Sequence, residues 1–213
     1  MSISTITVNG NNVSLVAMPT SPGPRSVQFD ITDAVSSVVS PFTGQTQTYS
    51  WPGADMWSGT VELPTLTQAQ ADQWISFLME LRGIQNPMQL GDPARSTPNG
   101  NALGVPVVNG AQAAASQSLL TRGWAPNSYR LLLTGDYIQV GYRLHRVLDQ
   151  VNSDANGDAT ISIWPSLRDP VIDGQTVILN NPKGLFRLAS NKRTWSSDFT
   201  LRTKLSFQVM EYR

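Results

Sequence analysis

Leu205-Ser206-Phe207-Gln208-Val209-Met210-Glu211, near the end of a 213-residue chain, sets Leu205, Phe207 and Val209 two positions apart. Successive side chains of a strand point to opposite faces of a sheet, so this spacing predicts a strand with one buried face. Phe186 and Leu188 repeat the pattern a little upstream. The closing segment 185–213 is too short to fold alone, because chains below about 40 residues seldom bury enough apolar surface. It needs a partner sheet, and the nearest candidate lies at the other end of the chain.

Residues 1–63 supply that sheet. Val13, Leu15 and Ala17 alternate; Val27, Phe29 and Ile31 alternate, followed by Val35, Val38 and Val39; Tyr49 and Trp51 share a face, as do Trp57, Val61 and Leu63. Clusters of Gly, Pro, Asn and Ser separate these runs, as strand boundaries require. One helix is expected, over 68–82. Thr67 precedes Gln70 by three residues, the spacing of a capping box. Ala71, Trp74, Ile75, Leu78 and Leu81 form an apolar stripe, which makes Trp74 a core residue, and Gly83 suits the left-handed residue that ends many helices.

A Pro/Gly/Asn/Ser-rich crossing follows at 95–104, and Asn180-Asn181-Pro182-Lys183-Gly184 marks a second one. Between them short strands are expected at 105–108, 116–121, 129–133, 137–140, 142–151, 159–164 and 176–179, with no long helix, a pattern of a small barrel or sandwich. The expected organisation is therefore a mainly β protein, with one domain built from 1–93 plus 184–213 and a second, 94–183, inserted in it.

Composition narrows the function. Hydrophobic residues make up 40% of the chain and charged ones 14%, with six Trp, six Phe and five Tyr, so a packed core is expected in place of disorder. Fifteen Lys and Arg balance fifteen Asp and Glu, and no basic run offers a footprint for nucleic acid. The absence of cysteine excludes disulfides, thiol nucleophiles and zinc ribbons. No basic segment followed by an apolar one opens the chain, and no apolar run approaches the ~18 residues of a membrane span, so a soluble protein made in the cytoplasm is expected.

No constellation of catalytic residues emerges. His145, the single histidine, sits in an alternating segment and reads as an ordinary strand residue, since a metal site needs partners that no second His supplies. Asp154-Ala155-Asn156-Gly157-Asp158 imitates the start of a calcium loop. The sixth and twelfth positions are Ala159 and Pro165 instead of Gly and an acid, so a hairpin turn is the better reading. Phosphate loops and a Gly-x-Ser-x-Gly elbow are absent. Glu62, Glu80 and Glu211 are the only glutamates, which gives glycosidase chemistry little material. No catalytic residue, metal site or cofactor is expected. Trp51 and Trp57 flank a Pro-Gly segment and divide evenly between core packing and burial at a subunit interface, whereas Trp124 and Trp195 carry no assignment.

Several strings, taken together, resemble distal tail proteins of long-tailed bacteriophages with non-contractile tails. They are Tyr49-Ser50-Trp51-Pro52-Gly53-Ala54-Asp55-Met56-Trp57; Leu63-Pro64-Thr65-Leu66-Thr67-Gln68-Ala69-Gln70-Ala71 leading to Trp74 and Phe77-Leu78; and Leu81-Arg82-Gly83 with Leu90-Gly91-Asp92-Pro93. Gly135-Asp136-Tyr137-Ile138-Gln139-Val140-Gly141, Leu144-His145-Arg146-Val147, Ile163-Trp164-Pro165-Ser166-Leu167-Arg168 and the closing strings Phe186-Arg187-Leu188 and Leu205 to Glu211 belong to the same resemblance, which spans nearly the whole chain. It implies a β-sandwich hub with one helix, interrupted by a small β-barrel like the oligonucleotide/oligosaccharide-binding fold. It also implies a virion protein of the tail tip or baseplate: a hexameric ring that joins the tail tube to the tip hub and lets DNA pass through its lumen without specific binding. Head-to-tail contacts between copies would close such a ring, and Trp51 and Trp57 are the candidate interface residues. The competing expectation is a carbohydrate-binding host-recognition module, with Tyr137, Tyr142 and Trp164 facing the ligand. A hydrolase with unrecognised carboxylates is the third.

Overall fold

The structure is a computed structural model that describes residues 2–8, 10–197, 199 and 202–213; Met1, the expected start of the hub, lies outside them. In chain order the elements are β1 (Ile3–Val8), β2 (Asn11–Val16), β3 (Ser26–Thr32), β4 (Val35–Val39), β5 (Thr46–Ser50), β6 (Met56–Glu62), α1 (Gln68–Glu80), β7 (Met88–Leu90), a 3-10 turn (Pro93–Arg95), β8 (Gly104–Val108), β9 (Ser118–Trp124), β10 (Tyr137–Val140), β11 (Arg143–Val147), β12 (Ala159–Trp164), β13 (Val177–Ile178), β14 (Gly184–Leu188), β15 (Trp195–Ser197) and β16 (Thr203–Glu211). The protein is mainly β, and one of its sheets is nearly closed into a barrel. No helix among the described residues is long and apolar enough to cross a membrane.

The chain divides into two compact units, 1–30 with 57–92 and 184–213, and 31–56 with 93–183. The sequence placed 31–56 in the hub; in the structure those residues group with the inserted segment.

In the first unit the sheet order is β3-β6-β16-β14-β7, with β15 paired to the start of β16, and β1-β2 forms a separate hairpin. Strand β16 lies at the centre. Phe207 opposes Val61 on β6, and Val209 opposes both Gly59 on β6 and Leu188 on β14. Leu205, Phe207 and Val209 are buried while Lys204, Ser206 and Gln208 are exposed, so the two-residue period does place one face of this strand inside. Helix α1 covers that face at Trp74, whose ring centroid is 6.3 Å from that of Phe207. Phe29 joins the same layer, 5.8 Å from both Trp57 and Phe186. Gly59 has a steric reason: a Cβ there would run into the carbonyl oxygen of Gln28, so only glycine lets β3 approach β6 this closely.

Helix α1 begins where the capping pattern places it. The Gln70 side chain accepts the Thr67 backbone N–H at 3.0 Å. It ends at Glu80, two residues before the expected end, because Arg82 and Gly83 adopt φ of 49° and 72°. Beyond that turn the Asn86 side-chain amide donates to the Glu80 carbonyl at 2.8 Å, satisfying one of the open carbonyls of the last turn.

The second unit holds the sheet β13-β10-β11-β12-β9-β8. A bridge between Val107 and Thr176 draws its two edges together, helped by the bond from Val108 N–H to the Gln175 carbonyl at 2.8 Å. Ala159, Ile161 and Ile163 of β12 point inward among Leu119, Ile138, Val147 and Val177. Trp124 is part of this core, and its indole N–H donates to Thr121 Oγ1 at 2.8 Å, which in turn donates to the Ala159 carbonyl. One expected strand is missing. Residues 129–133 contribute only the bridge from Leu132 to Val151, because Arg130 takes φ of 58° and breaks the extended run.

Candidate functional site

Between Asp33 and Asp55 the sequence carries no charged residue. The structure turns this stretch into an arm. Strands β4 and β5 pair from Val35 with Ser50 to Val39 with Thr46, and all ten of their residues are exposed. At the tip Ser40 N–H donates to the Gln45 carbonyl and the Ser40 hydroxyl accepts the N–H groups of Phe42 and Thr43, which leaves the Phe42 side chain 96% exposed. Val35, Val38, Val39 and Tyr49 are exposed as well. Tyr49 and Trp51 pack edge to face with centroids 4.8 Å apart, and Trp51 remains 48% exposed. A two-stranded ribbon is marginal in water by itself, and its open edges lack the charges that usually block pairing with another chain.

The base of the arm is fixed firmly. Trp51 N–H donates to the Ala34 carbonyl, and Ala34 N–H donates to Asp55 Oδ1 at 3.1 Å. Ser166 Oγ accepts Gly53 N–H at 2.8 Å and donates to Asp55 Oδ2 at 3.3 Å. The Arg168 guanidinium donates to the carbonyls of Gly53 and Asp55. Trp164 Nε1–H donates to Asp33 Oδ1 at 3.0 Å. The strings 52–55 and 164–168, singled out by resemblance, therefore meet in one polar knot. Neither shows that role in its local spacing, because they lie more than a hundred positions apart.

The expected interface pair separates. Trp51 is on the exposed arm, but Trp57 is only 5% exposed, in the first unit, edge to face with Phe29, and its backbone N–H donates to the Glu211 carboxylate at 3.3 Å. Its place in the alternation of β6 turns the ring to the same side as Val61, which places it with the core, one of the two settings its sequence allowed.

The three aromatics of the ligand reading are also in different settings. Tyr137, Arg146 and Trp164 stand in register across β10, β11 and β12. Tyr137 is 6% exposed, and the Arg146 guanidinium lies over its ring at 5.5 Å, so the ring presents no open platform. Trp164 is half-buried beside Arg146, and Tyr142 is half-buried in the turn between β10 and β11.

His145 is buried, and its Nδ1–H donates to the Pro165 carbonyl at 2.8 Å. The 154–158 segment is a turn in which Asp154 Oδ1 accepts the N–H groups of Asn156 and Asp158, both at 2.8 Å. Among the described residues no group of three or more acids and histidines is arranged to hold a metal. The glutamates stay apart: Glu62 and Glu211 sit at opposite ends of the β6–β16 ladder, and Glu80 ends the helix. A cleft of about 430 Å³ in the first unit is lined in part by Arg25, Glu62, Thr65, Trp195 and Lys204, which gives the unassigned Trp195 a half-open setting.

Sequence reasoning passed over Asp136, which is 1% exposed and accepts N–H groups from Leu133, Asn99 and Gly100 and the Asn99 side-chain amide, at 2.8 to 3.3 Å. It ties the first crossing segment to the barrel.

No protein-family model matches the chain, and no curated protein matches it.

Proposed function

We propose that the chain is a structural subunit of a phage virion, forming a hexameric ring at the distal end of the tail between the tail tube and the tip or baseplate hub. The observation that carries this reading is the arm of 35–50: uncharged, exposed on both strands, tipped by Phe42 and held at its base by Asp55, Ser166 and Arg168. A projecting ribbon of Val, Phe and Tyr side chains without charge gains stability when a second protein surface covers it. A neighbouring copy of the same chain is the simplest such surface, and a head-to-tail arrangement closes into a ring.

On this reading the first unit is a tail-tube-like β-sandwich hub and the barrel-like sheet is the inserted domain similar to the oligonucleotide/oligosaccharide-binding fold. The protein acts through geometry and not through catalysis. It reaches the virion after assembly in the host cytoplasm, and DNA passes its lumen without specific binding.

Light scattering and electron images of the purified protein and of isolated tails test the reading. The expected result is a sixfold ring that the pair Val38→Lys and Phe42→Asp disrupts while the chain keeps its fold, shown by an unchanged circular-dichroism spectrum, since both positions are exposed in the single chain. A chain that stays monomeric at high concentration and is missing from tails would overturn it.

A further inference from the structure

Two guanidinium groups converge over Gly135. A Cβ built there would meet Arg146 Nη2 at 3.3 Å and Arg95 Nη1 at 3.7 Å. Arg95 ends the 3-10 turn and Arg146 projects outward from β11, so the second unit brings them together from positions far apart in sequence. Gly135 is the third residue of a tight turn, closed by the Asp136 N–H donating to the Leu133 carbonyl at 3.0 Å, and its φ of 92° is the value a type II turn requires there.

Neither Arg95 nor Arg146 has a carboxylate at ion-pair distance among the described residues, in contrast to Arg122 beside Asp173 and Arg143 beside Asp169. Asp136, the carboxylate next to Gly135 in sequence, is occupied by its four N–H donors, and Asp33 accepts the Trp164 indole N–H. Arg95 and Arg146 are both exposed. Arg146 is also held in place: its guanidinium carbon lies over the Tyr137 ring, 5.5 Å from the centroid, and the residue stands in register between Tyr137 and Trp164. A guanidinium attracted to a ring face in this way still presents N–H groups to acceptors in its own plane.

We propose that Arg95 and Arg146 form an oxyanion-binding site on the barrel, which takes a phosphate or carboxylate group of a ligand. Arginine forks bind such groups with paired hydrogen bonds, and two forks converging on one point do so from two directions. The half-buried Trp164, cross-strand neighbour of Arg146, offers an apolar face to the body of the ligand. This site goes beyond the ring reading and does not depend on it.

Side-chain NMR of the Arg Nε–H groups in the full-length protein tests it, by titration with inorganic phosphate against sodium chloride at matched ionic strength. The expected result is a saturable phosphate response weakened at least about tenfold in Arg95→Gln and in Arg146→Gln, and unchanged in Arg122→Gln. Arg95 is exposed and outside the sheet, so its variant separates loss of the site from loss of the fold, which the same spectrum monitors. Glucose 6-phosphate and glucuronate then distinguish the source of the anion, and tighter binding of either supports the site and assigns it. No saturable response to any of the three anions, a response equal to that of chloride, or an equal loss in Arg122→Gln would overturn the proposal.

Discussion

At Asp136 one buried carboxylate accepts four N–H groups, three of them from Asn99 and Gly100. Asp136→Ala removes the acceptor that these part-buried donors share. It is expected to cost about 1–3 kcal/mol in urea unfolding, since a lost acceptor costs about that much where its donors are buried and water reaches the exposed Asn99. Trp57→Ala is expected to cost about 3–5 kcal/mol, the usual range for emptying a buried aromatic site. Asp173 behaves differently. The Arg122 side-chain hydrogen bond, followed by the Gly110 N–H, holds its carboxyl below the ordinary aspartate value. A group with a lowered folded value stabilises fully above its unfolded value and loses that contribution as pH falls through the folded one. The stability difference between the parent and Asp173→Asn is therefore expected to stay constant from neutral pH down to the ordinary aspartate range and to close below it. Both partners face solvent, so the effect is small and weakens in salt. Asp136 was inconspicuous in sequence because three of its four donors belong to residues 36 and 37 positions away; Trp57 was ambiguous because alternation marks a buried face without saying what buries it.

Strand β16 and helix α1 show what periodicity can settle within an element. The buried row Leu205, Phe207, Val209 and the capping pattern at Thr67 are local facts, and each survives in the folded chain. They also make a sharp test. Phe207→Ala is expected to cost about 3–5 kcal/mol in chemical unfolding, whereas Gln208→Ala, one residue on and exposed, should stay within about 0.5 kcal/mol. A reversed pattern would mean that the strand sits one residue out of register. The arm of β4 and β5 was harder to read. Val35, Val38, Val39 and Tyr49 have the composition of a core strand, yet all are exposed. Nothing local reveals this, because exposure is decided by whether a further layer of the fold reaches that ribbon.

For the molecule as a whole, the decisive feature is that the middle of the first sheet comes from the end of the chain. β16 lies between β6 and β14, so removing 184–213 takes out its centre and exposes the row of β6 that it covers. The second unit keeps its six-stranded sheet and its core cluster, all drawn from 93–183. A chain ending at Lys183 is expected to lose the amide dispersion of the first unit in NMR and its protection from protease while the barrel signals persist. Loss of both sets together would show that the barrel depends on the first unit for its stability.

The sequence by itself determined the β character, the start of the single helix, the face that β16 buries and the need of the C-terminal segment for a distant sheet. Each follows from side-chain period or chain length, which are local or additive quantities. Only the tertiary structure decided that 31–56 packs with the inserted segment, that Trp57 is core while Trp51 is not, that Asp55, Ser166 and Arg168 meet, and that Arg95 and Arg146 converge on Gly135. Those outcomes depend on which remote surfaces come into contact. Hydrogen bonds and charge pairs at long sequence separation leave no period in the chain from which they could be read.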